Sequence, residues 1–181
     1  GYRVRVNYGG GTLTDASDVT FVIRSPTMIY YVNDAVAAND LWCSAPGSDA
    51  NDGVTLATPK ASVQAILSAY DLEAGDVVRI DTGGYELSTD IVVGSADGGT
   101  STASVRFEAS PRGVEMVRQV PGSSTYYAWN ITAPYVTLRT DPASLPPGAS
   151  HRPLRLGYSG TGAGLMYGVI SNGNNTVISR V

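Results

Sequence analysis

With 43% hydrophobic and only 15% charged residues, and with 21 Gly and 10 Pro in 181 positions, the chain reads as a folded, turn-dense one. It is long enough for one good core, or for one domain plus part of another. A formal net charge of -4 without any Lys/Arg run excludes the basic footprint that nucleic acids and anionic membrane surfaces require, and no apolar run approaches the roughly 18 residues of a membrane span.

Residues 2–8 alternate, with Tyr2, Val4, Val6 and Tyr8 on one face and Arg3, Arg5 and Asn7 on the other, the period of a half-buried strand. Gly9, Gly10 and Gly11 end it, and Val19, Phe21 and Ile23 mark a second alternating strand after a polar stretch. Residues 1–25 are therefore expected to form an antiparallel hairpin with a long loop, a unit that is marginal in water by itself. Residues 28–32 predict a short apolar strand. The cluster Asp49, Asn51, Asp52 and Gly53 then reads as an Asx turn, its side chains bonding their own backbone. The same oxygens would suit calcium, but the glycine comes one position early for an EF-hand loop and no distal Glu completes it, so the turn reading is preferred.

Thr58 or Ser62 is placed to cap a helix with Pro59 early in it, and Val63, Ile66, Leu67 and Tyr70 fall on one apolar stripe. A lone amphipathic helix ahead of many short strands is the lid that a solenoid needs over its first rung. From there β-rich segments recur between Gly, Asn, Asp, Ser and Pro clusters, at 77–80, 91–93, 105–108, 114–117, 126–131, 136–139, 154–156, 165–170 and 177–181. Residues 130–139 and 171–180 align loosely, each running from a polar turn into a Val-Thr-Leu-Arg or Val-Ile-Ser-Arg strand, at a spacing of about two short solenoid coils.

Few residues suggest chemistry. Asp81, Asp90 and Asp97 are carboxylates of the kind that act on glycosidic bonds, but their spacing in turn contexts reads as solvated loop positions. His151 is the only histidine, so no Ser-His-Asp or two-His arrangement can be ordered around a second one, and it reads as an exposed residue of a Pro-rich loop. Cys43 is the only cysteine, which excludes an intrachain disulfide and a cysteine zinc site, and beside Trp42 it reads as a small buried apolar residue. Tyr126, Tyr127 and Trp129, with Tyr135 and Tyr158, offer flat faces to sugar rings, although aromatic residues also fill β cores. Asn130-Ile131-Thr132 and Asn174-Asn175-Thr176 match the glycosylation pattern, which arises readily by chance in an Asn- and Thr-rich chain.

The run Gly47-Ser48-Asp49-Ala50-Asn51-Asp52-Gly53, then Thr58-Pro59-Lys60-Ala61-Ser62-Val63-Gln64-Ala65-Ile66, then Gly75-Asp76-Val77-Val78-Arg79-Ile80-Asp81-Thr82-Gly83-Gly84-Tyr85 resembles the opening of β-helix proteins of the pectate-lyase-like superfamily. The resemblance covers residues 28–181 and is specific up to Tyr85. It implies a right-handed parallel β-helix, an extracellular location and dealings with polysaccharide, but no activity, since fold and function separate readily. No position matches that superfamily's catalytic pattern. Residues 1–25 resemble the last two strands of Ig-like domains in Ser/Thr-rich cell-wall proteins.

The expected protein is thus all-β: a hairpin or domain remnant over 1–25, then an N-terminal capping helix and the first rungs of a parallel β-helix over 26–181. A start at Gly1 and a last strand that stops in mid-rung suggest a piece of a longer protein. The expected role is a non-catalytic structural or binding segment of a secreted or cell-surface protein, adhesin-like or matrix-like. Polysaccharide or other surface proteins are the expected partners, Tyr126, Tyr127 and Trp129 the candidate ligand contacts, and no cofactor is expected beyond the weak calcium candidates Asp49, Asn51 and Asp52. Alternatives are the N-terminal portion of a polysaccharide lyase or glycoside hydrolase, and a filament subunit that self-associates through open β ends.

Overall fold

A computed structural model describes residues 5–7, 14–16, 27–122, 124–142, 150, 152–160, 165–179 and 181. Strands β1 (Arg5–Asn7) and β2 (Thr14–Ala16) pair antiparallel. The hairpin therefore forms, but its second strand lies within the stretch that the alternation pattern assigned to the loop. The Val19, Phe21 and Ile23 strand falls outside the described residues.

The remaining strands are β3 (Ile29–Val32), β4 (Val77–Ile80), β5 (Gly83–Leu87), β6 (Ile91–Val93), β7 (Val105–Ala109), β8 (Val114–Gln119) and β9 (Thr125–Ile131), then β10 (Val136–Thr140), β11 (Arg155–Ser159), β12 (Leu165–Ser171) and β13 (Val177–Ser179). They make three parallel sheets. The first takes β3, β4, β7, β10 and β13 in that order, the second β5, β8 and β11, and the third β6, β9 and β12. From β4 onward the chain visits first, second and third sheet in unbroken rotation, so each circuit lays one strand on the same strand of the circuit before. Val77 pairs with Arg106, Val105 with Val136 and Thr137 with Val177, so a circuit takes roughly 30 residues and the last one roughly 40.

In-register stacking aligns like with like. Tyr30, Val78, Phe107, Leu138 and Ile178 form one inward column of the first sheet. Ile91, Trp129 and Val169 form another in the third, and Tyr85, Met116 and Leu156 one in the second. These columns, apart from the exposed Ile178, meet in a single apolar core in which Phe107 and Trp129 touch edge to face, with centroids 5.1 Å apart. The register also corrects the expected repeat. Residues 130–139 and 171–180 are one circuit apart, not two, and Thr137, not Val136, pairs with Val177. The one-residue slip matters because it would turn every inward side chain outward.

Helix α1 (Val63–Ala69) precedes β4. Ser62, not Thr58, is its N-cap, accepting from the Ala65 N–H at 3.1 Å, and Pro59 lies in the loop ahead of it rather than in its first turn. Val63 and Ile66 are buried, and α1 packs on β3 and β6, the first strands of the first and third sheets. Tyr70 at its end lays its ring over Tyr30, 4.7 Å between centroids.

Candidate functional site

The start of the stack is where polar groups concentrate. A sheet that begins must have something to satisfy its first unpaired backbone groups. In the first sheet, Tyr31 donates to the Gly53 carbonyl at 2.7 Å and accepts from the Lys60 N–H at 3.0 Å, so the 53–60 loop closes the edge of β3. In the third, the Gln64 Oε1 accepts from the Val92 N–H at 3.1 Å. In the second, Gly83 donates to Gly113 in the next circuit, so by ladder alternation Gly84 and Glu86 turn their backbone groups outward. Asp34 Oδ2 accepts from the Gly84 N–H at 3.1 Å, and beyond it the cover stops. What remains is a cleft of about 390 Å³ between β5 and the start of α1, with Tyr85, Leu87 and Met116 toward the core and Asp34, Gln64 and Glu86 among its polar lining.

The acidic turn is an Asx turn only at Asp52, which bonds Val54 two residues on; Asp49 and Asn51 instead reach the 59–62 segment. Asp49 Oδ1 accepts from the backbone N–H groups of Ala61 and Ser62 at 2.9 and 3.0 Å, Asn51 donates to the Pro59 carbonyl at 2.8 Å, and Asp52 Oδ1 accepts from the Val54 N–H and the Thr58 hydroxyl. The Thr58 bond holds the Asp52 carboxyl below its ordinary pKa. The turn also contains a cation of its own. Lys60, the only lysine, is buried and donates its ammonium to the carbonyls of Asp49 and Asn51 at 2.9 and 2.6 Å. Both carboxylate oxygens of Asp49 and one of Asp52, which the calcium reading would give to a metal, are bonded to donors of the chain itself.

The three carboxylates Asp81, Asp90 and Asp97 do not converge, and two of them are buried rather than solvated. Asp81 is fully buried and accepts from four backbone N–H groups, those of Leu41, Trp42, Cys43 and Thr82, at 2.6 to 2.7 Å. It ties the 41–43 loop to the corner after β4. Asp90 holds the Arg118 guanidinium at 2.9 Å, and Arg118 also donates to the carbonyls of Leu87 and Ser88, pinning the corner after β5. Asp97 accepts from the Leu72 N–H at 3.1 Å, and burial raises its pKa above the ordinary value. Cys43 is buried beside Asp81, and burial together with that carboxylate pushes its thiol far up, which keeps it in the unreactive protonated form.

The aromatic triplet divides among three environments. Trp129 is fully buried and presents no face to a ligand. Tyr126 lies under the Arg118 guanidinium, 5.1 Å from the ring centre. Tyr127 is partly exposed and stacks on Tyr167 of the next circuit, with centroids 5.7 Å apart and planes at 25°. Tyr158 is strongly exposed on β11, and Tyr135 is half-buried in a turn with φ of 53°. His151 lies outside the described residues. Residue patterns singled out neither Lys60 nor Arg118 as organising groups; the solitary occurrence of lysine was the one available signal, whereas Arg118 is one of several arginines with no local mark.

No protein-family model matches this sequence, and no match was found among curated proteins or solved structures.

Proposed function

We propose that the chain forms the capped start of a right-handed parallel β-helix of the pectate-lyase-like kind. Its role is that of a non-catalytic structural and binding segment of a secreted or cell-surface protein, adhesin-like or matrix-like, with polysaccharide as its class of partner. The observation that carries this reading is the employment of the polar side chains. Asp34, Asp49, Asp81, Asp97 and Lys60 each hold backbone of a neighbouring loop or circuit, so the groups that would do chemistry serve to fix corners. The rotation of the chain through three parallel sheets supports the solenoid form, since each circuit templates the next through main-chain pairing.

The sugar-facing surface in this reading is the stacked pair Tyr127 and Tyr167, whose partly exposed rings follow one another from circuit to circuit. Flat rings in such a row suit the apolar faces of successive sugar units. The test is co-sedimentation with insoluble polysaccharides, with parallel assay of the supernatant for reducing ends and unsaturated products. Binding without product release, lost in the Tyr127→Ala/Tyr167→Ala double variant, is the expected result. Product release would move the reading to a lyase or hydrolase portion, and no binding to any polysaccharide would sink the partner class.

A filament subunit is the second reading, and the exposure of Leu165, Val177 and Ile178 on the last circuit favours it. The cover over β3 and β6 opposes head-to-tail stacking, because it occupies the edges that an incoming last circuit would need. Growth of light scattering with concentration would restore it.

A further inference from the structure

A second cleft, about 320 Å³ in volume, lies where the chain turns from the first sheet into the second. Arg112, Arg152 and Arg155 line it, with Glu115 and the glycines Gly83 and Gly113. Three of the twelve basic residues of a chain with formal charge -4 thus meet at one place, with Glu115 in the lining and the Asp40 carboxylate near Arg112. Like charges gathered this closely repel unless something offsets them. Among the described residues no ion pair within 4.0 Å involves any of the three; the pairs present are Arg106 and Arg139 with Glu108, and Arg118 with Asp90. Arg155 stands opposite Glu115 in the β11–β8 ladder, yet the two do not close to a salt bridge.

Arg112 is already set in position. Its Nη1 donates to the carbonyls of Asn39 and Asp40 at 3.2 and 2.6 Å, which uses both hydrogens of that nitrogen. The Nε–H and the two Nη2 hydrogens remain for another acceptor, on a guanidinium whose orientation is fixed in advance. Gly113 keeps its part of the lining bare. Gly113 has φ of 122°, and a Cβ there would come within 3.3 Å of the Arg152 side chain. Gly83, with φ of 149°, donates to the Gly113 carbonyl at 3.1 Å, joining the two corners.

We propose that this cleft binds a doubly charged oxyanion, sulfate or phosphate, either free or as a substituent on a polymer. Three forked cations face Glu115, with the Asp40 carboxylate also near Arg112, so the cleft keeps a net positive charge, and guanidinium groups match tetrahedral oxyanions through paired N–H donors. The proposal is independent of the polysaccharide reading above, because it concerns a different face and a different chemistry.

The test is titration of the full chain with sodium sulfate and sodium phosphate, followed by amide NMR shifts and calorimetry. Sodium chloride at matched ionic strength is the control. The expected result is saturable binding with shifts centred on Gly83, Gly113 and Arg155, weakened roughly tenfold or more in Arg152→Gln/Arg155→Gln. Both arginines are exposed, so an unchanged unfolding midpoint of that variant verifies that the fold is retained. A heparin-derived tetrasaccharide separates the sources: tighter binding than sulfate assigns the site to a polymer substituent, and equal or weaker binding to the free ion. Shifts no larger than those of the chloride control, or a double variant that binds like the parent, would overturn the proposal.

Discussion

Tyr30 and Ile178 stand at the two ends of one inward column, yet Tyr30 is 5% exposed and Ile178 44%. Between them Val78, Phe107 and Leu138 are fully buried. The strands at both ends are short and β-branched or aromatic, so the difference does not lie in the strands. It lies in what has been placed over them. The first circuit carries a helix, a 53–60 loop closed on β3, an internal ammonium and several backbone-bonded carboxylates, whereas on the last circuit Leu165, Tyr167, Val177 and Ile178 all stand open. Among the described residues, buried polar groups therefore both begin the stack, as Lys60 and Asp81 do, and hold later circuits together, as Glu108 and Arg118 do.

The comparison can be broken most directly at the helix. Ile66→Asp puts a carboxylate where no exposure exists, and with about 4 kcal/mol or more lost the cover should detach and the chain aggregate. A variant that stays monomeric with an unchanged urea midpoint would show that α1 does not close the stack. Next in size, Asp81→Ala strands four backbone N–H groups between the 41–43 loop and β4, for a loss of about 3 to 4 kcal/mol in chemical denaturation.

The column itself provides a sharper contrast. Leu138→Ala should cost about 3 kcal/mol and Ile178→Ala under about 1 kcal/mol, although the two residues are neighbours in register. Equal losses would mean that the last circuit is covered in solution. The smallest effect concerns Asp97. Its folded pKa lies above the ordinary value because burial disfavours the charged form, so its contribution is fully present below that ordinary value and is lost as pH rises through the folded pKa. Asp97→Asn should therefore gain stability relative to the parent on going from acid to neutral pH, read as a difference between two urea midpoints. A constant difference across that range would contradict the assignment.

Much of the strand layout was legible because each strand is a short β-rich run between turn-forming clusters, and 91–93 coincides with β6 at both ends. Strand β5 was not among the expected strands, since Gly83 and Gly84 have no β-forming side chains and join a sheet by pairing with β8. The repeat was misaligned by one residue because the identity of Val136 and Val177 outweighed the inward match of Leu138 with Ile178. Of the polar sites, the partners of Asp49 and Asn51 lie 8 to 13 positions on, and the Asp52 turn onto Val54 was the part readable as local. Asp81 was not, because its donors at Leu41, Trp42 and Cys43 lie 38 to 40 positions away, beyond any periodicity. The aromatic triplet failed to act as one face because Trp129 turns into the core while Tyr127 does not.

The one-strand-per-circuit rotation has a mechanical meaning. Every bond between β13 and β10, or between β12 and β9, joins one circuit to the next, so a pull directed away from the stack at its last strand loads a single ladder at a time. Circuits would detach one at a time, each event releasing on the order of 100 Å of extended backbone. The resistance would rise when the front reaches the first circuit, where Asp81 and Lys60 hold loops across the direction of peeling.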